Sequence, residues 1–229
     1  MSHDKIAATF DEWAQTGRGE RMEQGHGDVA LQVIEQLNIR PGFQILDLGC
    51  GIGWATRILA KATAGVQAIG VDASPKMIAK AEELHSFTIR ARYEVGDFLA
   101  LDFPDGKFDM VFSVEAIYYA PDLAKALAEA CRVLKGGGSI DLVVDYYGDR
   151  PGVASWPEYV GLELHSLGEE EWKAALEGAG FDKVKLTRVV DRRGPGEESD
   201  FEASQAFPDW SSYKAYSEAG SLWIHAEKA

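Results

Sequence analysis

The sequence predicts an α/β fold, with a seven-stranded, mostly parallel sheet, an antiparallel last strand and helices on both faces. Three observations predict it. From residue 43 onward, short apolar runs alternate with stretches whose apolar residues recur at helical spacing. The first three of these runs end at an aspartate or a Gly-Asp pair. A glycine cluster joins the first run to the helix that follows it.

Residues 43–48 (FQILDL) read as a buried strand that ends at the glycine cluster. Residues 53–63 carry helical spacing, and 67–71 (QAIGV) read as a second strand ending at Asp72. Ser74-Pro75 opens a helix that runs to about Leu84, with serine as the cap and proline in the first turn. A third strand near 90–95 ends at Gly96-Asp97, and a fourth, 108–112, follows the turn Asp105-Gly106. A helix from about Asp122 to Leu134 stops at Lys135-Gly136-Gly137-Gly138, and a fifth strand covers 139–144. Beyond it come a helix over 169–179, an alternating strand over 182–190 and a last strand over 221–227. The segment 146–168 reads as an insertion after the fifth strand, and 191–219 as a polar loop.

Residues 1–42 stand apart as a helical cap, with the α/β domain expected over 43–229. Asp4–Gln15 reads as a helix carrying Phe10 and Trp13, and Asp28 caps another that runs to about Leu37. Between them lie Gly17, Gly19, Gly25 and Gly27, together with Arg21 and His26. That stretch reads either as a loop shaped around a ligand or as a mobile linker.

Composition narrows the function. At 229 residues and 46% hydrophobic, the chain can bury a substantial core. A formal charge of −14 repels phosphate backbones and anionic lipid surfaces, so neither nucleic acid nor a membrane is an expected partner. The N-terminus lacks a signal-peptide pattern and no apolar run approaches a membrane span. Two cysteines, Cys50 and Cys131, do not make a disulfide framework, and the expected location is the cytoplasm. The five histidines show no metal-ligand spacing, so no metal is expected.

The chemistry centres on Asp47-Leu48-Gly49-Cys50-Gly51-Ile52-Gly53, between the first strand and its helix. Glycines there allow positive φ and let a ligand lie against bare backbone. A dinucleotide fingerprint would place its third glycine at position 54, where this chain has Trp54. No Gly-Lys-Ser/Thr follows, so a phosphate loop fails as well. The turn suits a nucleoside that brings no phosphate to the helix N-terminus. Asp72 is placed to accept from two ribose hydroxyls, and Asp97 from an adenine amino group, since an ionised carboxylate only accepts. Ligands in such sheets bind at the carboxyl ends of the strands, where these acids fall. Capping of the following helices is the other reading of Asp47, Asp72 and Asp97.

These motifs resemble those of the class I S-adenosylmethionine (SAM)-dependent methyltransferases, in their small-molecule branch. Residues 45–53, 70–77 (GVDASPKM), 96–98 (GDF), 108–113 (FDMVFS) and 132–138 (RVLKGGG) match in turn. The resemblance implies a Rossmann-like sheet, SAM as cofactor and S-adenosylhomocysteine as product. It implies that Gly49, Gly51 and Gly53 pass beneath the cofactor and that Asp47 lies near its methionine portion. Asp72 would hold the ribose, Ala73 and Met77 would flank the adenine, and Asp97 with Phe98 would bound its amino group. Ser113 and Val114 would offer backbone to the methionine moiety.

The acceptor side is less legible. Glu115, Tyr118 and Tyr119 follow the fourth strand, where the family places its acceptor pocket. The Tyr118 and Tyr119 rings either line that pocket or pack in the core. His165 is a candidate general base, since an imidazole can exchange a proton under physiological conditions, with a structural role as the alternative. The expected reaction is in-line methyl transfer to a small-molecule N, O, S or C nucleophile. The competing readings are a non-catalytic SAM-binding regulatory module and an NAD-dependent oxidoreductase. Neither the acceptor nor the oligomeric state can be read from the sequence.

Overall fold

The computed structural model describes residues 2–86 and 88–229. Helices α1 (His3–Gln15) and α2 (Arg18–Gln36) precede β1 (Gln44–Leu48). Then follow α3 (Trp54–Leu59), β2 (Gln67–Asp72), α4 (Pro75–Glu83), β3 (Ala91–Val95) and β4 (Phe108–Val114). The second half contains α5 (Leu123–Val133), β5 (Leu134–Val144), α6 (Trp156–Val160), α7 (Glu169–Gly178), β6 (Phe181–Val189), α8 (Trp210–Ala219) and β7 (Ser221–Lys228).

The seven strands form one sheet in the order β3-β2-β1-β4-β5-β7-β6. Pairings from β3 across to β5 are parallel, while β7 runs antiparallel to both β5 and β6. The chain winds outward from β1 to β3 and then restarts at β4 on the other side of β1. That reversal opens a crevice at the carboxyl ends of β1 and β4.

The alternation of the strands explains the two cores. On β1, Leu46 and Leu48 face a core built with α5 and α7, through Leu127, Trp172 and Leu176. Ile45 faces the opposite core, built with α2 and α3 through Val33, Ile34 and Leu59. Side chains cap the helices as the sequence leads one to expect: Ser74 accepts from the Met77 N–H, and Asp122 from the Lys125 N–H.

The structure corrects three boundaries. Residues 18–27 are helical, part of an unbroken α2, and do not form a glycine loop. Tertiary packing overrides propensity there, because Val29, Ala30, Val33 and Ile34 anchor the helix in the core. Gly19 has a packing reason: a Cβ on it would lie 2.6 Å from Ile52 Cγ2. The expected loop over 191–219 contains α8, capped by Asp209. Helix α5 passes into β5 at Leu134 with no intervening turn, so the glycine run 136–138 belongs to the strand. Among the described residues, no helix is long and apolar enough to cross a membrane.

Candidate active site

The crevice at the ends of β1 and β4 encloses about 830 Å³ of empty space, counting its mouth. Gly49, Cys50, Gly51 and Ile52 form its floor, with Asp72, Ala73 and Met77 to one side and Asp97 and Phe98 beyond them. Val114, Glu115, Ala116 and Tyr119 form the other side. Ile6, Phe10 and Trp13 of α1 and Met22 and His26 of α2 roof it. No lysine or arginine is among the described residues that line it.

Each glycine of the β1–α3 turn has a different task, although all three adopt positive φ. A Cβ on Gly49 would lie 2.1 Å from Ala116 Cβ, so glycine lets the loops after β1 and β4 touch. A Cβ on Gly51 would meet nothing within 4 Å, so its bare backbone faces the cleft. A Cβ on Gly53 would strike the Tyr93 ring at 2.4 Å, and Gly53 does not reach the cleft wall.

Asp72 is fixed at the end of β2. Its Oδ2 accepts from the Gly51 N–H at 2.9 Å and its Oδ1 from the Ser74 N–H at 2.9 Å. Each oxygen keeps acceptor capacity toward the cleft. Burial pushes its pKa up to about 6, against the pull of those two N–H groups. Asp97 Oδ1 accepts from the Leu99 N–H at 2.8 Å and lies 3.5 Å from His3 Nδ1.

The roof is fastened to the same elements. Ser74 Oγ donates to Asp11 Oδ1 at 2.5 Å, and the Lys76 N–H donates to the same oxygen at 3.1 Å. Lys80 Nζ bridges Ala14 O at 3.2 Å and Glu20 Oε1 at 2.5 Å. Helices α1 and α2 therefore close over the cleft through contacts with α4.

At the ends of β4 and β5 lies a polar cluster that sequence spacing did not reveal. Glu115 Oε1 accepts from the Asp145 N–H at 2.6 Å, and Glu115 Oε2 accepts from Tyr118 Oη at 2.8 Å. Asp145 forms a buried ion pair with Arg150 and accepts from Tyr216 Oη at 2.5 Å. His26 Nδ1 lies 3.1 Å from Asp145 Oδ2. Donor atoms of His26, Glu115 and Asp145 lie within 4.8 Å of one another. Burial and the Asp145 charge push Glu115 up to about 8, while Arg150 and His26 hold Asp145 well below the usual carboxylate range despite burial. Glu115 also has φ +54°, a strained left-handed conformation for a non-glycine residue.

Of the residues expected at the cofactor, Gly49, Gly51, Asp72, Ala73, Met77, Asp97, Phe98 and Val114 meet in this cleft. Asp47, Gly53 and Ser113 do not. Asp47 lies behind the turn, bonded to Thr56 Oγ1 at 2.6 Å, and burial pushes it up to about 7. The Ser113 hydroxyl turns away to donate to Leu48 O at 2.8 Å. On the acceptor side, Glu115 and Tyr119 reach the wall, whereas Tyr118 is buried behind it. His165 is not at the cleft: its N–H donates to Tyr118 O at 3.0 Å and its Nε2 lies 2.9 Å from Ala120 O. It ties the 162–168 segment to the turn after β4. The sequence places Asp145 after the fifth strand, on the same rim as Glu115, but gives no sign of Arg150 or Tyr216. Asp145 ends β5 as Asp72 ends β2, and that parallel was the available signal.

Comparison with known proteins agrees with this geometry. Residues 45–138 match the methyltransferase domain family. The chain is 37% identical over 168 residues to 2-methyl-6-phytyl-1,4-hydroquinone methyltransferase of Synechocystis, covering 64% of this chain and 52% of that protein. It is 30% identical over 162 residues to phosphoethanolamine N-methyltransferase 1 of Arabidopsis thaliana, covering 69% of this chain and 32% of that protein. The chain thus spans about half or less of the length of these relatives. Among solved structures, a chain from the complex between the Haloferax volcanii Trm112 methyltransferase activator and a methyltransferase superposes with a TM-score of 0.87 at 29% identity. That match covers 95% of this chain and 96% of the other. By its glycine turn, its strand-end carboxylates, its sheet order and its relatives, the chain belongs to the class I SAM-dependent methyltransferases.

Proposed function

We propose that this chain binds SAM in the crevice between β1 and β4 and transfers its methyl group to a small-molecule acceptor. The observation that carries the reading is the charge of the cleft wall. Asp72 and Asp97 line it, and no lysine or arginine does among the described residues. Such a wall fits a nucleoside that carries positive charge and no phosphate. A pyrophosphate-bearing dinucleotide fits it poorly, both for charge and because Trp54 stands where a third glycine would.

The residues present suit the ligand. Asp72 is oriented by two backbone N–H groups to accept from ribose hydroxyls. Met77 and Phe98 supply apolar surface for the adenine, and Asp97 an acceptor for its amino group. Gly51 presents bare backbone to the ligand. When bound, SAM supplies a methyl group already activated by its sulfonium charge. The protein's tasks are then positioning and exclusion of water. Phe10, Trp13 and Tyr119 form a close-packed aromatic roof, with Phe10 ring centroids 4.8 Å and 5.1 Å from those of Trp13 and Tyr119. Those rings keep solvent from the reacting end.

The relatives act on a hydroquinone and on phosphoethanolamine, which supports a small acceptor over a macromolecule. The test has two stages. Calorimetry compares SAM, S-adenosylhomocysteine and NAD, with binding of the first two expected. A homocysteine-release screen then covers phenols, amines, thiols and carboxylates. It is run alone and with the Haloferax volcanii Trm112 activator, because the structurally similar chain comes from a complex with it. Binding of NAD in place of SAM overturns the reading. SAM binding without turnover on any acceptor favours a regulatory module.

A further inference from the structure

We propose that His26 is the general base of methyl transfer, and that the acceptor reaches it from a second chamber on the far side of His26 from the SAM cleft. This rests on the methyl-transfer reading above. The second cavity lies between α2, the 191–196 segment and α8, and encloses about 1180 Å³ counting its mouth. Its wall includes Asp145, Arg150, Tyr213 and Tyr216. Among the described residues, His26 alone lines both this chamber and the SAM cleft. It is therefore the partition between them.

The sheet order says which end of the SAM cleft this partition faces. Asp97 and Asp72 follow β3 and β2, on one side of β1, and would hold the adenosine. Glu115 and Asp145 follow β4 and β5, on the other side, and His26 lies with them. His26 thus stands at the end opposite the nucleoside, where the methyl group would be presented.

The geometry suits a base. Asp145 accepts from His26 Nδ1–H at 3.1 Å, which leaves the lone pair on Nε2. Arg150 and Tyr216 fix Asp145 in turn, so Asp145 is a positioning residue. The groups around His26 are Asp145 after β5, Glu115 after β4, Arg150 beyond β5, Tyr216 on α8 and Arg21 on α2 itself. On the facing segment, Arg193 pairs with Asp191 and also donates to Gln24 O at 2.6 Å and Gly25 O at 3.0 Å, beside His26 on α2. Burial opposes protonation of His26, but Asp145 and Glu115 outweigh it and raise its pKa.

In the step, an acceptor O–H or N–H gives its proton to His26 Nε2 as the acceptor's lone pair bonds the methyl carbon. The carbon–sulfur bond breaks and its electron pair stays on sulfur. The acceptor class is accordingly a small molecule bearing a hydroxyl or amine whose proton must leave.

The test needs no known acceptor. Protein with ¹⁵N-labelled histidine, assigned with His26→Asn, is titrated by NMR in its SAM and S-adenosylhomocysteine complexes. A sulfonium beside His26 disfavours the imidazolium, so the His26 midpoint should be lower with SAM than with the uncharged thioether. Diethyl pyrocarbonate acylation of His26, mapped by mass spectrometry, reports access. Acylation should persist with S-adenosylhomocysteine saturating the first cleft, and Ser217→Trp in the second chamber should slow it severalfold. Identical midpoints in the two complexes, or full protection by S-adenosylhomocysteine, overturn this proposal alone. Failure of both ligands to bind overturns it together with the reading beneath it.

Discussion

The N–H of Gly51 donates to Asp72 Oδ2 at 2.9 Å, joining the turn after β1 to the end of β2. One bond thus fixes the bare backbone and the carboxylate that together line one side of the cleft. The sequence separates these residues by 21 positions, and the parallel β1–β2 pairing brings them together.

The glycines of that turn should separate stability from binding. Gly53→Ala forces a Cβ to within 2.4 Å of Tyr93 at φ +76°. It should destabilise the fold by about 2 kcal/mol or more, since overpacking adds to left-handed strain. Gly51→Ala meets no neighbour and adds about 1 kcal/mol of backbone strain. Its larger effect should be loss of SAM affinity. Urea denaturation and calorimetry on both variants check the split.

His165→Ala should leave SAM affinity unchanged and cost about 1 kcal/mol of stability, through the lost bond to Ala120 O. A large loss of methyl transfer with normal stability would restore His165 to the chemistry.

The buried Arg150–Asp145 pair predicts an asymmetric cycle. Arg150→Met strands a buried carboxylate and should cost about 3–5 kcal/mol. Adding Asp145→Asn should recover part of that loss. Urea midpoints of the two single variants and the double variant measure the coupling.

Asp47 predicts a pH dependence. Burial raises its folded pKa to about 7, well above its unfolded value. The folded state then binds the proton more tightly, so stability falls as pH rises from about 4 through about 7. Asp47→Asn should flatten that fall, as seen in urea midpoints measured across the window.

Much of this was legible in the residues. Apolar runs ending in Asp47, Asp72 and Asp97 placed the parallel strands, and Ser74-Pro75 marked a helix start that the structure reproduces. Local pattern failed where packing decided. Gly19, Gly25 and Gly27 read as loop formers, yet α2 runs through them because its later turns are buried. The polar cluster after β4 and β5 was hardest to read, because His26 and Asp145 lie 119 positions apart and the packing of α2 over the strand ends brings them together. Asp47 shows the opposite limit: a motif residue can lie behind the site it marks, bonded to Thr56.

The most direct measurement is calorimetric titration of SAM into the wild-type chain and into Asp72→Ala. If Asp72 accepts from the ligand, removing this buried carboxylate should weaken binding by about 1.5–3 kcal/mol, roughly 10- to 150-fold in Kd. A variant that binds SAM as tightly as wild type would contradict the account.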